Sequence, residues 1–218
     1  MLDSLSVLSG KMELYKMISI GFHYPDLSIY NDIKNQKFLL AFENAWYNVT
    51  NDEKKFSDKS LLNILSLKDI SFEDFESNYI TDFEATVPGS GCSLYERHYL
   101  INEKFNTLLL ELKAFYKNFE LNKSPEFNES EDHIVFELEF MHFLIFKELQ
   151  AIEEGIDKKP YQNCRYDFLA RHLTKWIPEL ANKSSNQLKS EFHSNLIRLL
   201  KDLVDSDFND LKLELEAT

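Results

Sequence analysis

The sequence predicts an all-α protein, a single-domain helical bundle with a central buried helix. Strand-like alternation of apolar and polar residues, the main signal of a half-buried strand, is missing from the 218 residues. Only five glycines and five prolines interrupt the chain, which is typical of helices joined by short loops. The segment from Ile134 to Leu149 is apolar nearly all the way round a helix, as expected of a helix that is surrounded by others.

The helices expected before this segment follow from apolar spacing and from start and stop residues. A first amphipathic helix begins near Leu5 and is closed by Gly21 and Pro25. Ser71 begins another helix with an approximate capping box, because its hydroxyl can accept a backbone N–H bond. The helices predicted in this half of the chain cover about residues 5–22, 28–48, 58–67, 71–83 and 95–119.

Two loops are expected between these helices and the central one. Pro88, Gly89 and Gly91 mark a loop over residues 84–94 that divides two unequal groups of helices. A polar loop over residues 122–128 leads into the central helix.

The central helix is expected to end near Gly155, and two more helices follow it. They cover residues 164–176 and 186–204, and Trp176 with Pro178 ends the first of them. Residues 1–205 then form the helical domain, and residues 206–218 form an acidic C-terminal tail that we expect to be poorly ordered.

The composition limits the classes of function. The formal net charge of −13 disfavours nonspecific nucleic-acid binding, because phosphate contacts need clustered Lys and Arg. It suits a basic partner, although solubility alone explains most such charges. No segment approaches ~20 consecutive apolar residues, and the N-terminus lacks the pattern of a secretory signal. Cys92 and Cys164 make no disulfide framework. We therefore expect a cytoplasmic monomer or dimer with no membrane span and no nucleic-acid partner.

The histidines give little support for metal or catalytic chemistry. His133 and His142 are nine residues apart, on nearly opposite faces of a helix, so they cannot share an ion. No His-Glu-x-x-His and no Gly-x-Ser-x-Gly occurs. Glu137 lies one helical turn after His133 and could orient its imidazole, but no nucleophile can be named. We expect no catalytic residue, no metal and no cofactor.

The start of the central helix is the most informative stretch of the chain. A cluster of acids precedes Asp132 and His133, and Ser130 or Asn128 can cap the helix with a side-chain oxygen. Asp132 and His133 then lie in the first turn, where the helix dipole favours a carboxylate. Replacing residues at such a junction removes little buried apolar area. We therefore expect this pair to affect partner binding more than folding.

Four ordered motifs make the chain resemble the TorD/DmsD/NarJ-type family, the all-helical chaperones that mature molybdenum-containing redox enzymes. The motifs are Tyr79 with Phe83, then Tyr95-Glu96 with Tyr99, then Glu129 with Asp132-His133, and finally His172-Leu173 with Trp176 and Pro178. The resemblance covers roughly residues 10–205. Ser130 stands near the place of the family's proline, and Asp82 replaces a leucine of the first motif, so these two motifs match only in part.

The resemblance implies a cytoplasmic chaperone for a molybdopterin-containing oxidoreductase. It would bind the immature catalytic subunit, often through a twin-arginine leader peptide, and assist cofactor insertion and assembly. Carboxylates would bind the arginines and an aromatic groove would shelter the apolar stretch of the leader. The residues expected at this client-binding surface are Tyr79, Phe83, Tyr95, Glu96, Glu129, Asp132 and His133. Some relatives bind guanine nucleotide or the pterin cofactor, but no site for either is recognisable here.

Two other functions stay open at this point. One is a general helical adaptor for a basic or amphipathic partner, which genomic adjacency to a molybdoenzyme subunit would separate from the chaperone. The other is a small helical hydrolase that uses His133 with an acid, which the absence of turnover on a substrate panel would remove.

Overall fold

A computed structural model describes residues 4–50, 64–84, 92–100, 105–123 and 128–217. The regular elements in these ranges are helical, which confirms the predicted all-α class. The α-helices are α1 (Ser4–Phe22), α2 (Leu27–Lys34), α3 (Gln36–Thr50), α4 (Phe72–Tyr79), α5 (Phe105–Lys117), α6 (Ile134–Glu154), α7 (Lys159–Phe168), α8 (Thr174–Gln187) and α9 (Glu191–Glu216). Two π-helical turns, Ile80–Glu84 and Leu169–Leu173, and a 3-10 turn, Glu96–His98, join them.

Helix α6 lies at the centre of the bundle, as its apolar circumference predicts. Ile134, Leu138, Met141 and Ile145 are fully buried, and the helix packs most extensively against α1 and then against α7. Its end is also where the sequence places it. Gly155 has a φ of 69°, a left-handed conformation that glycine adopts without strain at a helix C-terminus.

Helix α1 is held between α6 and α3, and this position decides where the loop after α1 emerges. A Cβ atom on Gly10 would lie 2.8 Å from the carbonyl oxygen of Ala45, so glycine is required for the approach of α1 to α3. At the other end of α1, the Tyr79 hydroxyl donates a hydrogen bond of 3.0 Å to the carbonyl oxygen of Phe22. The loop that follows Phe22 therefore lies beside the end of α4.

Several helix boundaries differ from those predicted. The helix expected over residues 28–48 is two helices, α2 and α3, because Asn35 has an extended backbone with a φ of −72° and a ψ of 130°. In the described part of the helix expected over residues 95–119, the regular elements are the 3-10 turn and α5. Its first residues bond to another segment, since the backbone N–H of Glu96 donates to the carbonyl oxygen of Asp132 at 3.0 Å.

The later helices are also corrected. The helix expected over residues 164–176 consists of the end of α7, a π-helical turn and the start of α8. Trp176 and Pro178 do not end a helix, because Pro178 lies inside α8, which continues to Gln187. A proline removes one backbone hydrogen bond, and the bonds of the following residues are enough to continue this helix.

The acidic C-terminal segment is ordered, contrary to expectation. Residues 206–216 continue α9, and Asp207 and Leu211 are buried. The ammonium group of Lys11 lies 3.1 Å from the Asp207 carboxylate and 2.8 Å from that of Asp210. These ion pairs attach the end of α9 to α1.

Some predicted features fall outside the described residues. They are residues 58–63 of the helix expected at 58–67, and the loop residues 85–91 and 124–127. Of the described residues 64–67, Ile64 is helical and the other three are not.

Candidate client-binding surface

Two motif segments that are far apart in sequence are joined by their backbones. Tyr95 and His133 form an isolated antiparallel bridge. Next to it, the N–H of Ile134 donates to the carbonyl oxygen of Leu94 at 2.8 Å. The residues before α6 are therefore fixed against the 3-10 turn. This long-range pairing has no local sequence signal, which is why the sequence predicted a helix at residue 95.

Asp132 is fully buried, and its carboxylate is paired with Arg97 of the opposite segment. Its carboxylate forms an ion pair with Arg97, whose Nε lies 3.1 Å away. It also accepts hydrogen bonds from the Arg97 backbone N–H at 3.3 Å and from the Ser130 hydroxyl at 2.5 Å. The guanidinium of Arg97 also donates to the Ser130 hydroxyl at 2.6 Å. Asp132 precedes α6 and does not lie in its first turn, so it holds the paired segments together from inside.

His133 is the N-cap of α6, where Ser130 or Asn128 was expected. Its Nδ1 accepts the backbone N–H of Val135 at 3.3 Å, and its ring meets the Tyr95 ring edge-to-face at 4.9 Å. Burial, with a smaller effect of His23, lowers the pKa of His133 to about 4. Its imidazole is therefore neutral at pH 7.

Glu96 points into the core. It is fully buried, and both of its oxygens lie near His172 Nδ1, at 3.0 and 3.1 Å. Glu137, also fully buried, accepts from Trp176 Nε1 at 2.9 Å. Burial raises the pKa of both carboxyl groups, and repulsion by Glu96 raises the pKa of Glu137 further. Glu96 thus links its own motif to the late His-Leu-x-x-Trp motif.

The remaining predicted residues, Tyr79, Phe83, Tyr95 and Glu129, lie near one another where α4 ends. The Tyr95 hydroxyl donates to the Glu129 carboxylate. Phe83 packs edge-to-face on the buried Tyr79 at 5.1 Å. Burial raises the pKa of Tyr79 and of Tyr95, and the nearby charges of Glu84 and Glu129 raise both further.

Residues that the sequence analysis missed complete this surface. Glu84 is exposed, and partial burial together with Glu129 raises its pKa. Tyr24, 51% exposed, donates from its hydroxyl to the Glu76 carboxylate at 3.0 Å. No local pattern marks these residues. We call the surface that these residues form together the acidic aromatic surface; it consists of Tyr24, Glu76, Phe83, Glu84, Tyr95 and Glu129.

The described residues show no metal cluster and no membrane helix. No group of three or more His, Cys, Asp or Glu within them could hold a metal ion, and none of the described helices is long and apolar enough to cross a membrane. The relay of His133 with Glu137 is not formed, because the Glu137 carboxyl bonds to Trp176 and His133 caps α6.

Comparisons with known proteins assign the family. The family model of the nitrate reductase delta subunit matches residues 51–182, more than half of the chain. The perchlorate reductase assembly chaperone protein of Dechloromonas aromatica (strain RCB) is 31% identical over 208 residues, which cover 95% of this chain and 92% of that protein. The chaperone protein TorD of Vibrio cholerae serotype O1 (strain M66-2) is 25% identical over 100% of both chains.

A solved structure agrees in fold. It is assigned as a redox enzyme maturation protein of Archaeoglobus fulgidus, and it superposes with a TM-score of 0.54 at 19% identity, over 89% of this chain and 93% of that one. The chain belongs to the nitrate reductase delta subunit family, which confirms the resemblance seen in its motifs. These relatives are named as chaperones.

Proposed function

We propose that the chain is a cytoplasmic chaperone that binds the immature catalytic subunit of a molybdopterin-containing oxidoreductase and assists cofactor insertion and assembly. Two kinds of support favour this function. The relatives aligned over most of the chain are named as an assembly chaperone of perchlorate reductase and as TorD. The motifs of the family meet in one region of this fold, around the bridge between Tyr95 and His133.

The acidic aromatic surface is the observation that carries the proposal. Glu84 and Glu129 repel each other, and repulsion by Glu129 contributes to the raised pKa of Glu84. Among the described residues, neither carboxylate has a salt bridge within 4.0 Å. A guanidinium placed between them would relieve this repulsion and gain charge-assisted hydrogen bonds. Paired arginines of a leader peptide offer two such groups, and the rings of Tyr24 and Phe83 can cover their apolar stems.

The other predicted residues act from behind this surface. Tyr79, Glu96, Asp132 and His133 are buried, so in this proposal they position the exposed groups instead of touching the client. Asp132 and Glu96 fix the two paired segments, and Tyr79 supports Phe83.

Titration calorimetry with two peptides tests the proposal. One peptide carries paired arginines followed by an apolar stretch, and the other has alanines in their place. We expect the arginine peptide to bind at least about tenfold more tightly, since tenfold corresponds to ~1.4 kcal/mol and one hydrogen bond to a charged group contributes about 1.5–3 kcal/mol. The variant Glu84→Gln/Glu129→Gln should lose this preference.

A matched variant controls for net charge. Glu153→Gln/Glu216→Gln removes two exposed carboxylates elsewhere and should keep the preference. Equal affinity for the two peptides would reject the arginine site. Capture from the native cell, followed by mass spectrometry, should enrich a molybdopterin-containing subunit. Enrichment of unrelated basic proteins instead would favour a general adaptor.

A further inference from the structure

A concave surface, the aromatic groove, lies beside the residues that precede α6. It has a volume of about 810 Å³ and runs between α5, the residues that follow α5 and the first half of α6. Its apolar lining consists of Tyr116, Leu121, Phe136, Phe140 and Phe143. The Tyr116 hydroxyl donates to the carbonyl oxygen of Glu131 at 3.0 Å, so the wall of the groove is bonded to the segment that carries Glu129.

The rim of the groove is basic in an otherwise acidic protein. Lys113, Lys117 and Lys123 lie along it, against the carboxylates of Glu131 and Glu139. Lys113 lies 3.4 Å from Glu131. Lys123 donates to the backbone carbonyl of Glu129 at 2.7 Å, and because a carbonyl is neutral its positive charge is not cancelled there. Three lysines face two carboxylates, whereas the whole chain has a net charge of −13.

The groove and the acidic aromatic surface are therefore neighbours of opposite local charge. Glu129 bonds through its side chain to Tyr95 of the acidic aromatic surface and through its backbone to Lys123 of the groove. His23 lines the groove 3.6 Å from Glu139 and also contributes to the lowered pKa of His133. One partner can contact both surfaces across this short boundary.

We propose that the aromatic groove binds an apolar segment of the client that carries acidic side chains. This inference rests on the proposed function, and it assigns to the same client a second contact that is distinct from its arginines. Aromatic walls bury apolar side chains of a helical segment, while the lysines of the rim bind its carboxylates. A segment of the opposite charge pattern fits less well, because basic side chains would face three ammonium groups.

Two synthetic peptides test the inference on the full chain. Both are helix-forming, with Leu and Phe spaced at i, i+3 and i+4, and one carries glutamates where the other carries glutamines. At low salt we expect the glutamate peptide to bind several-fold more tightly, although the net charge of −13 opposes any acidic ligand. Raising the salt concentration should reduce that preference, because the attraction of the rim is screened.

Charge-reversed variants locate the effect. Lys117→Glu/Lys123→Glu changes two exposed residues of the rim and should reverse the preference to the glutamine peptide. Lys37→Glu/Lys212→Glu makes the same change of charge at exposed residues that do not line the groove, and it should keep the preference for the glutamate peptide. Circular dichroism checks that each variant is folded.

The outcomes separate the groove from the arginine site. Equal or weaker binding of the glutamate peptide to the parent, or the same loss of preference in both variants, would overturn the inference. If the arginine peptide still binds through Glu84 and Glu129 in that case, the proposed function stands. If the groove prefers glutamate and the arginine peptide fails to bind, the groove is upheld and the proposed function fails.

Discussion

The buried carboxyl group of Glu137 makes the stability of the folded chain depend on pH. Burial, and then repulsion by Glu96, holds the pKa of Glu137 well above its usual value. A group whose pKa is raised by folding stabilises the folded state below its unfolded pKa, and this contribution is lost as the pH rises through the folded pKa. The free energy of unfolding should therefore fall as the pH rises above the usual range of a glutamate.

Glu137→Gln tests this effect. The amide removes the titrating carboxyl but keeps an oxygen that can accept the bond from Trp176 Nε1. Between about pH 5 and about pH 9 we expect the urea midpoint of the parent to fall more than that of the variant. Glu153→Gln, an exposed change on the same helix, should follow the parent. Parallel curves for Glu137→Gln and the parent would contradict the prediction.

The sequence identified motif residues, but it did not say which of them reach the surface. Glu96 and Asp132 were expected to bind a client, but both are fully buried. Glu96 is paired with His172, which comes from a distant part of the chain. Asp132 is paired with Arg97 of the opposite segment. The sequence did not indicate Glu84, because this residue belongs to the surface only through its position near Glu129, which the fold brings close. Local patterns contain no information about such pairings.

Among the elements, α6 could be predicted most fully, because its apolar residues alone require burial. Phe140 is 2% exposed and meets the rings of Tyr116 and Phe168 at 5.0 Å each. Replacing a buried phenylalanine by alanine removes apolar burial and leaves a cavity. Phe140→Ala should therefore lower the free energy of unfolding by about 3–5 kcal/mol, as measured by urea denaturation.

The same helix offers a control for this prediction. Phe146 is 48% exposed, so Phe146→Ala should change the free energy of unfolding by less than about 1 kcal/mol. Equal losses for the two variants would mean that α6 is not the central helix. The elements that could not be predicted are those set by tertiary bonds, such as the 3-10 turn at Glu96–His98, whose backbone pairs with the residues before α6.

At the scale of the whole molecule, the net charge suits a basic partner but does not show how charge is distributed over the surface. The net charge of −13 gives no sign that lysines gather on the rim of the aromatic groove. That arrangement depends on α5 lying beside the residues that precede α6, which places Lys113 3.4 Å from Glu131. The acidic aromatic surface likewise combines the loop after α1, the end of α4 and the residues before α6. Both surfaces are products of the fold.

Salt should therefore separate the two parts of leader binding. The attraction between paired arginines and the acidic aromatic surface is screened, since the Debye length falls from ~10 Å at ~0.1 M salt to ~3 Å at ~1 M. The burial of apolar side chains is not screened in this way. Calorimetric titration at the two salt concentrations should show the arginine peptide losing most of its advantage over the alanine peptide while both keep a residual affinity. An advantage that does not change with salt would mean that Glu84 and Glu129 do not bind the arginines through their charge.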